Sequence, residues 1–179
     1  MEKDTLYNFA AASPLDTIVF GAERPGYLYP RTTGAVPEWI AFMKGKGIQR
    51  VLCLLPQKQL DDFAPELLTL YQSQFSAVLH TPVQDFLVPT DEALWAGVSF
   101  LRASELASEP VVVHCNAGMG RTGILLSAWL IARHRLSIED AVRTVKEHAA
   151  LSGARRAPFE ANEELVVPLL RWVGVRHLP

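Results

Sequence analysis

Val111-Val-Val-His-Cys115-Asn-Ala-Gly-Met-Gly-Arg121-Thr-Gly123 is the stretch that decides how this chain is read. Three consecutive valines after Pro110 predict a strand over Pro110–His114, apolar enough to be covered on both faces. Gly120–Arg133 is a long apolar segment and predicts a helix. Between the two, five residues separate Cys115 from Arg121, and two of them are glycine. A strand that turns tightly into a helix brings the helix N-terminus, with its free N–H groups and positive dipole end, back over the turn. Gly118 and Gly120 permit backbone angles closed to other residues, so successive N–H groups can point into one cup.

Arg121 adds a guanidinium suited to bidentate binding of a phosphate. Such surroundings favour the thiolate form of a cysteine at the Cys115 position, and Thr122 is placed to hydrogen-bond the sulfur. Cys115, Arg121 and Thr122 are therefore candidate catalytic residues. Asn116, Ala117, Gly118, Met119 and Gly120, together with Arg121, are the candidate phosphate-binding positions. The plainer reading, an inert buried cysteine at a strand end, leaves the paired glycines and the Arg-Thr continuation unexplained. Gly118, Gly120 and Gly123 also spell G-x-G-x-x-G, the dinucleotide fingerprint. That motif needs a following strand with an acidic residue roughly 20 positions on. Here the helix leads at Ser137 into another helix, so the reading is set aside.

Outward from the loop, strands and helices alternate. Thr17–Gly21 and Arg50–Leu55 read as strands, Pro65–Phe75 as a helix and Ser76–Val83 as a strand. A helix from Pro37 to about Lys44 follows the turn-rich Gly21–Pro30 stretch. Thr90 caps a further helix. Ser137 and Asp140 open another, to about His148, and a last helix runs from near Phe159 to Trp172. The pattern predicts an α/β fold whose central, largely parallel sheet has about four or five strands flanked by helices. No linker or repeat divides residues 1–179, so one domain is expected.

A phosphate ester also needs an acid for its leaving oxygen. Asp85 lies in a loop just after a strand, and a parallel sheet brings that strand end to the same edge as Cys115. Pro82 and Pro89 stiffen the loop. The competing Asp91 suits the first turn of the helix capped by Thr90.

Composition narrows the classes. The chain is 49% hydrophobic and 20% charged, with 17 basic against 19 acidic side chains. A net charge of −2 disfavours nucleic-acid and anionic-membrane binding, and with them an RNA 5′-phosphatase. Two cysteines, Cys53 and Cys115, exclude a disulfide scaffold and a cysteine-rich zinc site. No apolar run is long enough to span a bilayer, and the first residues lack a secretory pattern, so a monomer in a reducing cytoplasm is expected.

His114-Cys115-Asn-Ala-Gly118-Met-Gly120-Arg121-Thr122-Gly123 resembles the H-C-x-x-G-x-x-R-[ST]-G loop of cysteine-dependent protein phosphatases. Asp85-x-x-x-Pro89 resembles the acid loop of their compact dual-specificity branch, and the likeness runs from Arg50 to about Asn162. The resemblance implies a protein tyrosine phosphatase-like fold and a two-step reaction without metal or other cofactor. Cys115 would form a phosphocysteine and Asp85 would protonate the leaving oxygen, then activate water. Thr122 would ease departure of the thiolate, and His114 would order the loop. Relatives place water with a polar segment after the last helices, where Glu160 and Asn162 stand here, and Asn162 is the candidate. Some relatives guard the nucleophile with a strand cysteine, so Cys53 is either that partner or plain packing, its apolar neighbours favouring packing. Arg24 borders the pocket, and Arg155-Arg156 either attract anions or form a solvated turn. Asn116 and Met119 replace the extra lysines of phosphoinositide-directed loops. The implied substrate is a phosphoprotein carrying phosphotyrosine, with phosphoserine and phosphothreonine also accepted. A phosphate-binding module without turnover and a rhodanese-like sulfurtransferase are the alternatives.

Overall fold

The computed structural model describes residues 6–28, 34–160 and 162–178. The first five residues and Pro30, which carry part of the leader and turn expectations, lie outside them. A 3₁₀ turn at Leu6–Asn8 leads into strands β1 (Ala10–Ala11) and β2 (Val19–Glu23). There follow α1 (Ala35–Gly45), β3 (Arg50–Cys53), α2 (Gln57–Phe63), α3 (Leu67–Gln74) and β4 (Ala77–His80). The chain continues through α4 (Asp91–Ala107), β5 (Val111–Cys115), α5 (Gly120–His134), α6 (Ile138–Leu151) and α7 (Glu163–Gly174).

The five strands form one sheet in the order β1-β2-β5-β3-β4, parallel except for β1. Side chains alternate across β5 and so feed two cores. Val111, Val113 and Cys115 join Leu52 and the inner faces of α4, α5, α6 and α7. Val112 joins Val51, Cys53 and the inner faces of α1, α2 and α3. Helix α5 is buried nearly all round, which is why its sequence is apolar rather than amphipathic. Its N-terminus therefore has one fixed position, directly beyond the carboxyl end of β5. The caps read from sequence are formed: Thr90 accepts from Ala93 N–H and Ser137 from Asp140 N–H, each a contribution of about 1 kcal/mol.

Three expectations need correcting. The first long strand covers Val19–Glu23, with Gly21 inside it rather than ending it. A Cβ at Gly21 would stand 2.9 Å from the Arg156 guanidinium, from Leu126 and from Thr122, so close packing explains that glycine. Helix α2 was not anticipated, because Leu60 is its one buried side chain and no apolar period marks it. The last helix begins after Asn162 rather than near Phe159.

Candidate active site

The loop from Cys115 to Arg121 crosses the carboxyl edge of the sheet. At Gly118 the backbone has φ +71, and an added Cβ would lie 2.4 Å from the Ala22 carbonyl oxygen, so only glycine fits. Gly120 opens α5 as the sequence predicts, but it takes no left-handed backbone angle, and what its missing side chain leaves room for is the Glu160 carboxylate. The loop carbonyls are tied outward. That of Asn116 accepts from Arg24 N–H and that of Met119 from Ala157 and Gly123 N–H. The carbonyl of Ala117 accepts from the Asn8 side-chain amide at 2.9 Å. A trans peptide carries its N–H opposite its C=O, so these bonds turn the N–H groups of Ala117, Gly118 and Gly120 toward the inside.

The resulting cup holds about 100 Å³ and is lined by Cys115, Asn116, Ala117, Met119, Gly120 and Arg121 from the loop. Asp85, Phe86, Leu87, Tyr27 and Glu160 close its rim. Gly118 shapes the turn from behind, against β2. Thr122 is fully buried and its Oγ1 donates to Cys115 Sγ at 3.2 Å. His114 is buried between Trp39 and Tyr71. Its Nε2 meets the Tyr71 hydroxyl at 3.2 Å and its Nδ1 the Cys115 carbonyl at 3.3 Å. Burial pushes the His114 imidazole down to about 3, so it is neutral, and one tautomer satisfies both contacts.

The acid loop is pinned by Val83, whose N–H bonds the Leu54 carbonyl. Arg121, itself buried, grips that loop from below. Its Nη1 donates to the Val83 carbonyl at 2.8 Å, and its Nη2 pairs with Asp85 Oδ1 at 2.8 Å. Gln59 of α2 stands beside both: its Nε2 donates to Asp85 Oδ2 at 3.1 Å, and its Oε1 accepts from Arg121 Nη1 at 3.3 Å. Nothing in the motif spacing pointed to Gln59, since α2 itself was unread. Asp91 sits in the first turn of α4, as its position after Thr90 required.

Other expected residues go elsewhere. Asn162 caps α7, its Oδ1 accepting from Glu164 N–H, and it is not part of the cup lining; Glu160 is. A side chain spent on a helix end has no reach left for the cup. Arg24 braces the loop: its Nε donates to Asn116 Oδ1 at 2.6 Å, and its guanidinium lies 4.0 Å over the Phe63 ring. Arg156 is buried instead of forming a solvated turn, and donates to the carbonyls of Asn8, Gly21 and Arg155. Burial pushes its guanidinium down to about 10, opposed by the charge of Cys115 nearby. Cys53 packs in the core on the other face of the sheet from Cys115, and burial pushes its thiol up to about 12. Both cysteines are free.

A family described as Tc-R-P, polymorphic toxin system, DSP-PTPase phosphatase, matches residues 25–135. The human phosphatidylglycerophosphatase and protein-tyrosine phosphatase 1 is 38% identical over 58 residues, covering 32% of this chain and 29% of that protein. The chain spans less than two thirds of the length of the curated relatives it matches. Among solved structures, kinase associated phosphatase aligns with TM-score 0.74 and 16% identity, over 98% of this chain and 99% of that one. Tk-PTP in its active form aligns with TM-score 0.70 and 21% identity, over 96% and 99%. The fold is that of these phosphatases.

Proposed function

The chain belongs to the Tc-R-P family of DSP-PTPase phosphatases, and from that premise we propose that it hydrolyses phosphomonoesters through a phosphocysteine, with phosphoproteins as substrates. One observation carries the reading: a single cup gathers the Cys115 sulfur, the Arg121 guanidinium, the Asp85 carboxyl and a ring of inward N–H groups. The Cys115 thiolate attacks phosphorus in line with the leaving oxygen. Arg121 and the N–H groups of the loop hold the three equatorial oxygens as charge shifts onto them. Asp85 donates its proton to the leaving oxygen, then takes one from the water that attacks the phosphocysteine. The Thr122 hydroxyl, already on the sulfur, stabilises the departing thiolate. A thiolate nucleophile needs no metal to activate it. It also suits a reducing compartment, so we place the activity in the cytoplasm.

We take phosphotyrosine together with phosphoserine and phosphothreonine as the targets, because the short chain adds no further loops to deepen the cup around the loop from Cys115 to Arg121. A lipid phosphomonoester is the second reading. It is favoured by Phe86 and Leu87, 67% and 53% exposed beside Asp85, and by the lipid named for the human relative. No helix among the described residues is long and apolar enough to cross a membrane.

The test is hydrolysis of para-nitrophenyl phosphate with reductant and chelator, comparing wild type with Cys115→Ser and Asp85→Asn. The expected result is turnover that survives the chelator and vanishes in Cys115→Ser; with a phosphoserine peptide, whose leaving group needs a proton, Asp85→Asn is expected to fall about 10²–10⁴-fold. Phosphopeptides and phosphatidylglycerophosphate micelles, assayed in parallel, separate the two substrate readings. A folded wild type without turnover would return the chain to phosphate binding, or to thiosulfate sulfurtransfer.

A further inference from the structure

Asp85 faces a conflict of duties in the structure as it stands. Its Oδ1 pairs with Arg121 Nη2 at 2.8 Å. The same N–H fork is what a phosphoryl dianion would recruit on entering the cup. While that ion pair lasts, Asp85 Oδ1 is taken up by Arg121 and is not free for the leaving oxygen of a substrate. Once Arg121 turns its charge to the phosphate, the pair no longer holds Asp85 over the cup. Asp85 lies in a turn closed by the Leu87 N–H on the Gln84 carbonyl, with Phe86 and Leu87 exposed beside it, and its carboxyl is held by Arg121 and Gln59.

Gln59 is the contact that survives this exchange. Its Nε2 donates to Asp85 Oδ2, the oxygen Arg121 does not use. It sits in the first turn of α2, with its own N–H bonded to the Pro56 carbonyl and Leu60 beside it anchored in the core. We propose that Gln59 is the positioning residue for the general acid: by occupying Oδ2 with an N–H it confines the acidic proton to Oδ1, the oxygen that Arg121 gives up when it turns to the phosphate. The inference rests on the reaction proposed above. In that reaction the S–P bond forms as the P–O bond breaks, and the Oδ1 proton goes to the leaving ester oxygen. Gln59 contributes no atom to the exchange. Its Oε1 accepts from Arg121 Nη1 at 3.3 Å, so the same amide also keeps the arginine and the acid in register before substrate arrives.

Two substitutions divide these contacts. Gln59→Ala removes both. Gln59→Glu keeps an acceptor for Arg121 and has no N–H to offer Asp85. The assay compares kcat and KM on para-nitrophenyl phosphate, whose leaving group hardly needs a proton, with a phosphoserine peptide, whose leaving group does. Both variants are expected to lose about ten- to a hundredfold in kcat on the peptide and less than about threefold on para-nitrophenyl phosphate, with KM little changed. Two results would overturn the inference. One is an equal loss on both esters, which would make Gln59 a structural support alone. The other is recovery of the wild-type peptide rate in Gln59→Glu, which would make Arg121 its sole client. A wild type without Cys115-dependent turnover removes the reaction and the inference together. An active wild type with an equal loss on both esters removes the inference alone.

Discussion

Thr122 and Cys115 show how much a single contact can be asked to do. The hydroxyl donates to the sulfur at 3.2 Å and is closed off from solvent, so the sulfur has no competing water donor on that side. A hydrogen bond to a charged group is worth about 1.5–3 kcal/mol, and in the phosphocysteine route proposed above it strengthens as the S–P bond breaks and charge returns to the sulfur. Thr122→Ala should therefore slow the second step roughly tenfold or more and leave the first nearly intact. The check is a burst of para-nitrophenol, equal to the enzyme concentration, ahead of a slow steady state. Thr122, like Cys115 and Arg121, was legible because neighbours in sequence stay neighbours across a tight loop. Gln59 was not, because it reaches the cup from a segment that shares no motif with it, and of the pair Glu160 and Asn162 the sequence favoured the one that does not line the cup.

At the scale of elements, Arg156 ties three segments together. Its guanidinium bonds carbonyls of the N-terminal turn, of β2 and of its own loop, in a space that Gly21 leaves open. Read as sequence, Arg155-Arg156 is a basic turn, and charge alone does not say which of two adjacent arginines goes inside. Arg156→Met fills part of the volume but strands these carbonyls. A loss of about 2–4 kcal/mol in urea unfolding is expected. A variant as stable as wild type would show that water replaces the guanidinium at no cost. The helix starts at Thr90 and Ser137 were readable because a cap acts over three residues. Helix α2 was hidden because its stability comes from one buried leucine and its place under the acid loop.

Over the whole molecule, two buried groups pull stability in opposite directions with pH. Glu23, at the end of β2 and 3% exposed, has its carboxyl pushed up to about 7 from 4.5 by burial. Its raised value means its contribution is full below about 4.5 and is lost as pH rises through about 7. His114, pushed down to about 3 from 6.5, contributes fully above 6.5 and loses that contribution as pH falls toward 3. Between 4.5 and 6.5 the two slopes oppose each other, each up to about 1.4 kcal/mol per pH unit. Glu23→Gln removes the larger opposition to His114 and leaves Asp16, whose carboxyl burial also raises, as the remaining one. Its unfolding free energy should climb by roughly 2–3 kcal/mol from pH 4.5 to 6.5, and should exceed that of wild type at pH 8. Urea titrations at the three pH values decide it, and a flat profile in the variant would contradict the assignment.

The amino-acid sequence by itself determined the strand–loop–helix that carries Cys115, Arg121 and Thr122, and the alternation that makes the fold α/β. Those features depend on periodicity and on spacing within a dozen residues, both of which survive in one dimension. The tertiary structure decided that Glu160 joins Asp85 at the rim of the cup, which arginine is buried, what Asn162 is used for and which amide holds Asp85. These depend on where separate segments meet over the sheet edge, and that is set by packing of the two cores rather than by any local pattern.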